Sequence, residues 1–224
     1  MPSRIAKASR LPSDVGEGDP RERRHLALAQ ARRDLVLDAA RSAFFELGMD
    51  KASIREIARR AGYTPGAIYS YFASKEAIYG ALLGESLDRL NEAVQRARRG
   101  AATNADELRK TTTAFFDFYR ENPRDLDLGF YLFQGMQPRG LTRELDATLN
   151  ARLRASLQPA QDAMERLGLA SAVALAEVTA LFAHVVGLLV LSHTGRIRMF
   201  KQTSQRLFDA YLERLVARAE GGNT

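Results

Sequence analysis

The chain has 224 residues, 46% of them hydrophobic and 27% charged, proportions of a globular protein rather than a disordered, collagen-like or membrane one. Lys and Arg number 33 against 27 Asp and Glu, a net charge of +6 with a pI near 9.8, which suits a polyanionic partner. The absence of cysteine excludes disulfides, thiol nucleophiles and thiolate zinc sites, and with His25, His184 and His193 as the only imidazoles neither a metal nor another cofactor is expected.

Residues 1–30 show no helical periodicity and hold Pro2, Pro12, Pro20, Gly16 and Gly18, followed by the cluster Arg21, Arg23, Arg24. They predict a flexible basic arm, either a solvated tail or an arm that touches DNA phosphate or enters a minor groove. Arg4, Lys7 and Arg10 lead into no apolar stretch of signal-peptide length, so a cytoplasmic chain is expected.

From Asp34 the pattern turns helical, with Val36, Ala40, Ala43, Phe44 and Leu47 at three- and four-residue spacing and Gly48 placed beyond the helix end. A second helix starts after Ser53, an N-cap with Glu56 three residues on, and buries Ile54, Ile57, Ala58 and Ala61 before Gly62. The third opens at Thr64 and Pro65, a capping hydroxyl and a proline at the first helical position, and runs to Phe72. A fourth begins at Ser74 and carries Ile78, Leu82, Leu83, Leu87, Leu90 and Val94 on one face, ending near Gly100. Helices follow over residues 105–121 and 125–135, then a turn at 137–140, then a leucine ridge from Leu141 to Leu157 with a kink expected at Pro159 and an end at Gly168. The last two are expected near 170–194 and 199–219. The stretch 172–191 is long enough to cross a bilayer, but Glu177 and His184 inside it favour a helix packed in protein, so no membrane partner is expected.

Two short helices joined by Gly62-Tyr63-Thr64 have the helix-turn-helix layout, which places the second helix in a major groove. Residues 39–83 resemble the DNA-binding domain of the TetR family of regulators, through Phe44, Leu47 and Gly48, then Ser53, Ile57, Ala58, Ala61 and Gly62, then Gly66, Ile68, Tyr69, Tyr71, Phe72, Lys75 and Glu76. Pro65, Gly66 and Ala67 occupy the turn that meets base edges, and none has a side chain able to donate a bidentate hydrogen bond. Pro65 and Ala67 suit thymine methyls, Thr64 a base or a phosphate, and Ser70 projects a turn later. Arg55 is either a solvated charge or a bidentate guanine reader, the role the resemblance implies. The resemblance also implies that Tyr69, Tyr71 and Lys75 anchor phosphates; Ser53 is either a cap alone or a further anchor, and Tyr69 reads equally as a half-buried core aromatic.

A single recognition helix reads few base pairs, so a homodimer on a palindromic operator in double-stranded DNA is expected. Apolar faces for pairing come from Leu175, Val178, Phe182, Val185 and Leu189 on one helix and Leu207, Tyr211 and Leu215 on the other, and the resemblance implies a four-helix bundle between subunits. Phe115, Phe118, Tyr119, Phe130, Tyr131, Gln134, Met164 and His184 are candidates for an effector site; aromatic residues at helical spacing are equally a plain core, while the resemblance implies a cavity for a small organic molecule. The expected architecture is all-α with about nine helices: the arm over 1–30, a helix-turn-helix domain over 31–80, and a helical ligand-binding and dimerisation domain over 81–224. The function that follows is sequence-specific transcriptional regulation, as a repressor released by an effector. A nonspecific DNA binder is the alternative; an enzyme is disfavoured because no P-loop, GxSxG, HExxH or dinucleotide motif is present.

Overall fold

The computed structural model describes residues 19–130 and 141–221, and among these every regular element is helical. Helix α1 (Pro20–Lys51) starts about four turns earlier than periodicity predicts. Pro20 opens it at a position where no N–H is needed, and the Asp19 carboxylate accepts from the Arg21 N–H at 3.0 Å. The part of the expected flexible arm from Pro20 to Gln30 is therefore helix; it carries no apolar stripe because it packs on nothing, and that is why its sequence shows no period. Residues 1–18 of that arm lie outside the described residues. Gly48, at φ 77°, breaks the helix where expected, and a short last turn closes with the Ala52 N–H on the Gly48 carbonyl at 3.0 Å.

Helix α2 (Ile54–Ala61) folds back on α1, and α3 (Pro65–Tyr69) packs on α2. Their core is built from Val36, Leu37, Ala40, Ala43, Ile57, Ala58, Ile68 and Phe72. Helix α4 (Lys75–Arg99) closes that core with Ile78 and Leu82 and then leaves it: Leu83, Leu87, Leu90 and Val94 belong to a second, larger core.

The second core is formed by α4 with α5 (Asn104–Glu121), α6 (Pro123–Phe130), α7 (Arg143–Arg166), α8 (Ser171–His193) and α9 (Ser204–Gly221). Pro123 does not merely end α5; it supplies the first residue of α6, two positions ahead of the expected start. The expected end of that helix beyond Phe130 and the turn at 137–140 lie outside the described residues. The chain stays helical through Pro159, seven residues before the end of α7. Between α8 and α9 a 3₁₀ turn, Arg196–Phe200, sits between Gly195 and Lys201, both left-handed, so α9 begins at Ser204 and not near Met199. Phe116 of α5 stacks on Phe208 of α9 with centroids 4.1 Å apart. Glu107 receives Arg98 at 3.0 Å and Arg166 at 2.7 Å, tying the far end of α4 to α5 and α7.

Helix α8 is apolar on every side, with a mean hydropathy of 2.1 over its richest window, yet only 33% of that window is buried within the chain. Ala174, Val178, Leu181, Val185 and Leu189 face the core. The opposite side leaves Val173 and Leu175 nearly half exposed, together with Ala176, Ala180, Ala183 and Gly187. Of the residues expected at a subunit interface, Val178, Val185, Leu189 and Leu215 thus serve this chain's own core, and Leu175 remains outside. A helix without a polar side gives the sequence no mark of which face turns inward.

Candidate functional site

The loop geometry of the helix-turn-helix follows from a few local bonds. Ser53 Oγ accepts the Glu56 N–H at 3.2 Å and starts α2. At its other end Gly62 adopts φ 71°, letting Tyr63 N–H reach the Ala58 carbonyl at 2.9 Å and Gly62 N–H the Arg59 carbonyl at 3.4 Å, a Schellman closure. Thr64 Oγ1 then accepts the Ala67 N–H at 3.3 Å, and Pro65 opens α3. The helix ends at Tyr69, sooner than expected, but its last turn continues: Phe72 N–H still bonds the Ile68 carbonyl at 3.0 Å.

These caps set out one outward surface. Ser53, Arg55, Thr64, Pro65, Gly66, Tyr69 and Ser70 are exposed, and Ala67, Tyr71 and Lys75 are half-buried. Tyr69 is 57% exposed, which removes the core reading for it. Ile68 alone of α3 is fully buried and anchors the helix from beneath. Ser70 Oγ donates to the Ala67 carbonyl at 2.7 Å, and Tyr71 packs along the edge of the core. Lys75 donates to the Met49 carbonyl at 2.7 Å, a group freed where Gly48 ends α1, so one of its three N–H donors is committed to joining α4 to α1.

The arginines of α2 divide cleanly. Arg59 bonds the Glu56 carboxylate at 2.7 and 2.9 Å, and Arg60 bonds it at 2.7 Å and Glu46 at 2.9 Å. Those bonds, Arg59 first, hold the Glu56 carboxyl at a pKa of about 2. Arg55 is exposed and has no carboxylate partner among the described residues, so of the three it is the one available to a ligand.

The effector candidates do not all meet. Tyr119 and Phe130 line an apolar cavity of about 50 Å³ between α4, α5, α6 and α7, with Leu83, Leu87, Leu149 and Leu153 around it and Asp146 and Asn150 at its polar edge. Phe115 and Phe118 pack edge-on against Tyr119 at 5.3 and 5.2 Å but do not line the cavity themselves. Burial drives the Tyr119 phenol far above its ordinary pKa, so it stays a neutral donor. Met164 is wholly buried core, and Tyr131 and Gln134 lie outside the described residues. His184 stands apart from the cavity: its ring stacks on Tyr211 of α9 at 4.1 Å, while Phe182, two residues earlier, turns the other way to meet Phe115 and Phe130. Burial pushes the His184 pKa down, and its Nε2 has no partner among the described residues.

Sequence reasoning misses the link between cavity and helix-turn-helix. Helix α6 ends in Gly129 and Phe130 at the cavity, while its other residues hold the DNA-side helices: the Arg124 guanidinium lies 4.4 Å over the Phe45 ring, Asp125 accepts from Arg89 at 2.6 Å, and the Leu128 carbonyl accepts from the Tyr79 hydroxyl. Each pair joins residues far apart in the chain, and no local pattern announces it.

A profile of bacterial regulatory proteins of the tetR family matches residues 36–82, which is α1 from its first buried residue through the first third of α4. Over these residues the chain is similar to regulatory proteins of the tetR family. The chain is 36% identical over 99 residues to the HTH-type transcriptional activator FasR of Mycolicibacterium smegmatis, covering 44% of this chain and 45% of FasR. It is 40% identical over 72 residues to the HTH-type transcriptional repressor Rv1474c of Mycobacterium tuberculosis, covering 32% and 37%. The chain thus matches less than half the length of these curated relatives. Among solved structures, the fold is shared with FadR of Bacillus subtilis, crystallised with stearoyl-CoA (TM-score 0.63, 20% identity, 81% of this chain and 96% of that one), and with the TetR-family regulator PfmR of Thermus thermophilus (TM-score 0.62, 21% identity, 82% and 95%). The helix-turn-helix and the helices behind it therefore share the fold of these solved structures.

Proposed function

We propose that the protein is a dimeric, sequence-specific transcriptional regulator, a cytoplasmic repressor released from a palindromic operator by a small apolar effector. The observation that carries this reading is the outward surface of α2 and α3: seven exposed residues on two capped helices, with Arg55 unpaired among the described residues where its neighbours Arg59 and Arg60 are not. Arg55 reads guanine through its planar fork; Pro65 and Ala67 touch thymine methyls; Thr64 and Ser70 supply hydroxyls. Ser53, Tyr69, Tyr71 and the remaining N–H groups of Lys75 grip phosphate on either side.

Two copies pair through the uncovered side of α8, where Ala176, Ala180, Ala183 and Gly187 allow close approach and Val173 and Leu175 supply apolar area. The effector occupies the space between α4 and α7. At about 50 Å³ the cavity is well below the roughly 300–1,000 Å³ of an ordinary ligand site, so occupation has to spread the helices. Its leucine and aromatic lining with a single phenol suits a long hydrocarbon chain, as in the stearoyl-CoA complex of FadR. Spreading moves Gly129 and Phe130, and α6 passes the movement to α1 through Arg124 and to α4 through Arg89 and Tyr79. The recognition helices of the dimer then lose the spacing that fits successive major grooves, and the operator is released by the difference in affinity between the two states.

Selection of bound sequences from random duplex DNA tests the reading. The expected product is an inverted repeat with half-sites about 34–36 Å apart or a multiple of that. Binding governed by salt alone, with no enriched sequence, would overturn it in favour of a nonspecific binder.

A further inference from the structure

Helix α1 projects beyond the fold. Of residues Pro20 to Gln30 only Ala29 is even half-buried, and Arg21, Arg23, Arg24 and, further on, Arg32 are exposed with no ion pair among the described residues. Elsewhere, Arg55 apart, the arginines of α1 and α2 find carboxylates: Arg33 meets Glu85 at 3.5 Å, Arg41 meets Asp38 at 2.5 Å, and Arg59 and Arg60 share Glu56. Between Pro20 and Arg33 five arginines stand against one acid, Glu22. A helix with no buried stripe gains nothing from packing to offset the entropy of ordering it, and its own like charges repel. Its placement supplies the missing partner. The projection leaves the fold beside the end of the helix-turn-helix, where the Arg33 guanidinium lies 5.1 Å over the ring of Phe72, the residue after Tyr71.

We propose that Pro20–Arg32 is a second DNA-binding element, a cationic rod lying along the sugar-phosphate backbone next to the half-site that α3 occupies. At 1.5 Å per residue it spans roughly 18 Å, about five base pairs of duplex. Arg21, Arg24 and Arg32, which share one side of the helix, each neutralise a phosphate, adding affinity and lengthening the footprint without reading bases. Leu26 and Leu28, both exposed on the same turns, would serve a protein partner instead, but the surplus of unpaired cations selects a polyanion.

This inference rests on α3 holding DNA, and the test separates the two. The full chain and its R21Q/R23Q/R24Q/R32Q variant are titrated, over a range of salt, on a duplex carrying the selected repeat with generous flanks, and both complexes are mapped by hydroxyl-radical cleavage. The expected result is a shorter protected stretch beside each half-site and a shallower dependence of log K on log salt, by about 0.9 for each phosphate left unneutralised and by up to about five for two subunits. Lysine at the same four positions should restore the slope, because a point charge suffices for phosphate. Equal slopes and footprints with sequence-specific binding intact would overturn the rod and leave α3 standing. Failure of the unmodified chain to bind any duplex would remove both. A variant that keeps its slope but sediments as a monomer would assign the rod to a second copy of the chain and overturn the proposal.

Discussion

At the scale of single residues, the binding surface depends on which groups are already occupied. Arg55 and Arg59 are both exposed on α2, yet only Arg59 is held by Glu56. Arg55→Gln is expected to weaken binding to the selected duplex by about 1–3 kcal/mol and to relax preference at one position per half-site. Arg59→Gln should leave binding nearly unchanged, since it breaks only an exposed pair; comparing the two by fluorescence anisotropy on matched and mismatched duplexes checks this, and equal losses would contradict the assignment. Gly62 shows how conformation, rather than space, restricts a position. A methyl group there meets nothing within 4 Å, but φ is 71°. Gly62→Ala is therefore expected to destabilise the fold by roughly 1–2 kcal/mol, read from urea unfolding midpoints.

At the scale of elements, α4 and α7 come unusually close. A Cβ on Gly80 would lie 2.5 Å from Leu145 Cδ2, and one on Gly84 would lie 3.0 Å from an Arg152 nitrogen. Gly80→Val should cost about 1–3 kcal/mol by overpacking and push α4 away from α7. If α4 carries the release signal, the same variant binds its operator more weakly with no effector present; a stability loss with unchanged operator affinity would separate α4 from the signal. The helices themselves are legible in the sequence wherever their signals are local. Ser53, Gly62, Thr64 with Pro65, and Ser74 mark caps within three residues of the bonds they make, and the structure forms each of them. The start of α1 is not legible because an unpacked helix leaves no apolar rhythm, and Pro20 and Pro123 look like breaks until the helix that follows is seen to use them as first residues. His184 defeats the sequence for a related reason: in a helix apolar all round, only long-range packing tells the side facing the cavity from the side facing Tyr211.

At the scale of the whole molecule, the proposed assembly turns on the uncovered side of α8. Ala183→Glu places a charge on that exposed face without touching the chain's own core. The expected outcome is a folded monomer by sedimentation, with operator affinity reduced at least about 100-fold because two half-sites are no longer read together. A dimer that persists would move the interface elsewhere. The two domains meanwhile share a beam. Leu82 lies in one core and Leu83 in the other, consecutive residues of an unbroken α4. Neither half can melt without pulling on the helix that roofs its neighbour, so heat should take the molecule in one step, with no half-unfolded form that keeps one core and has lost the other.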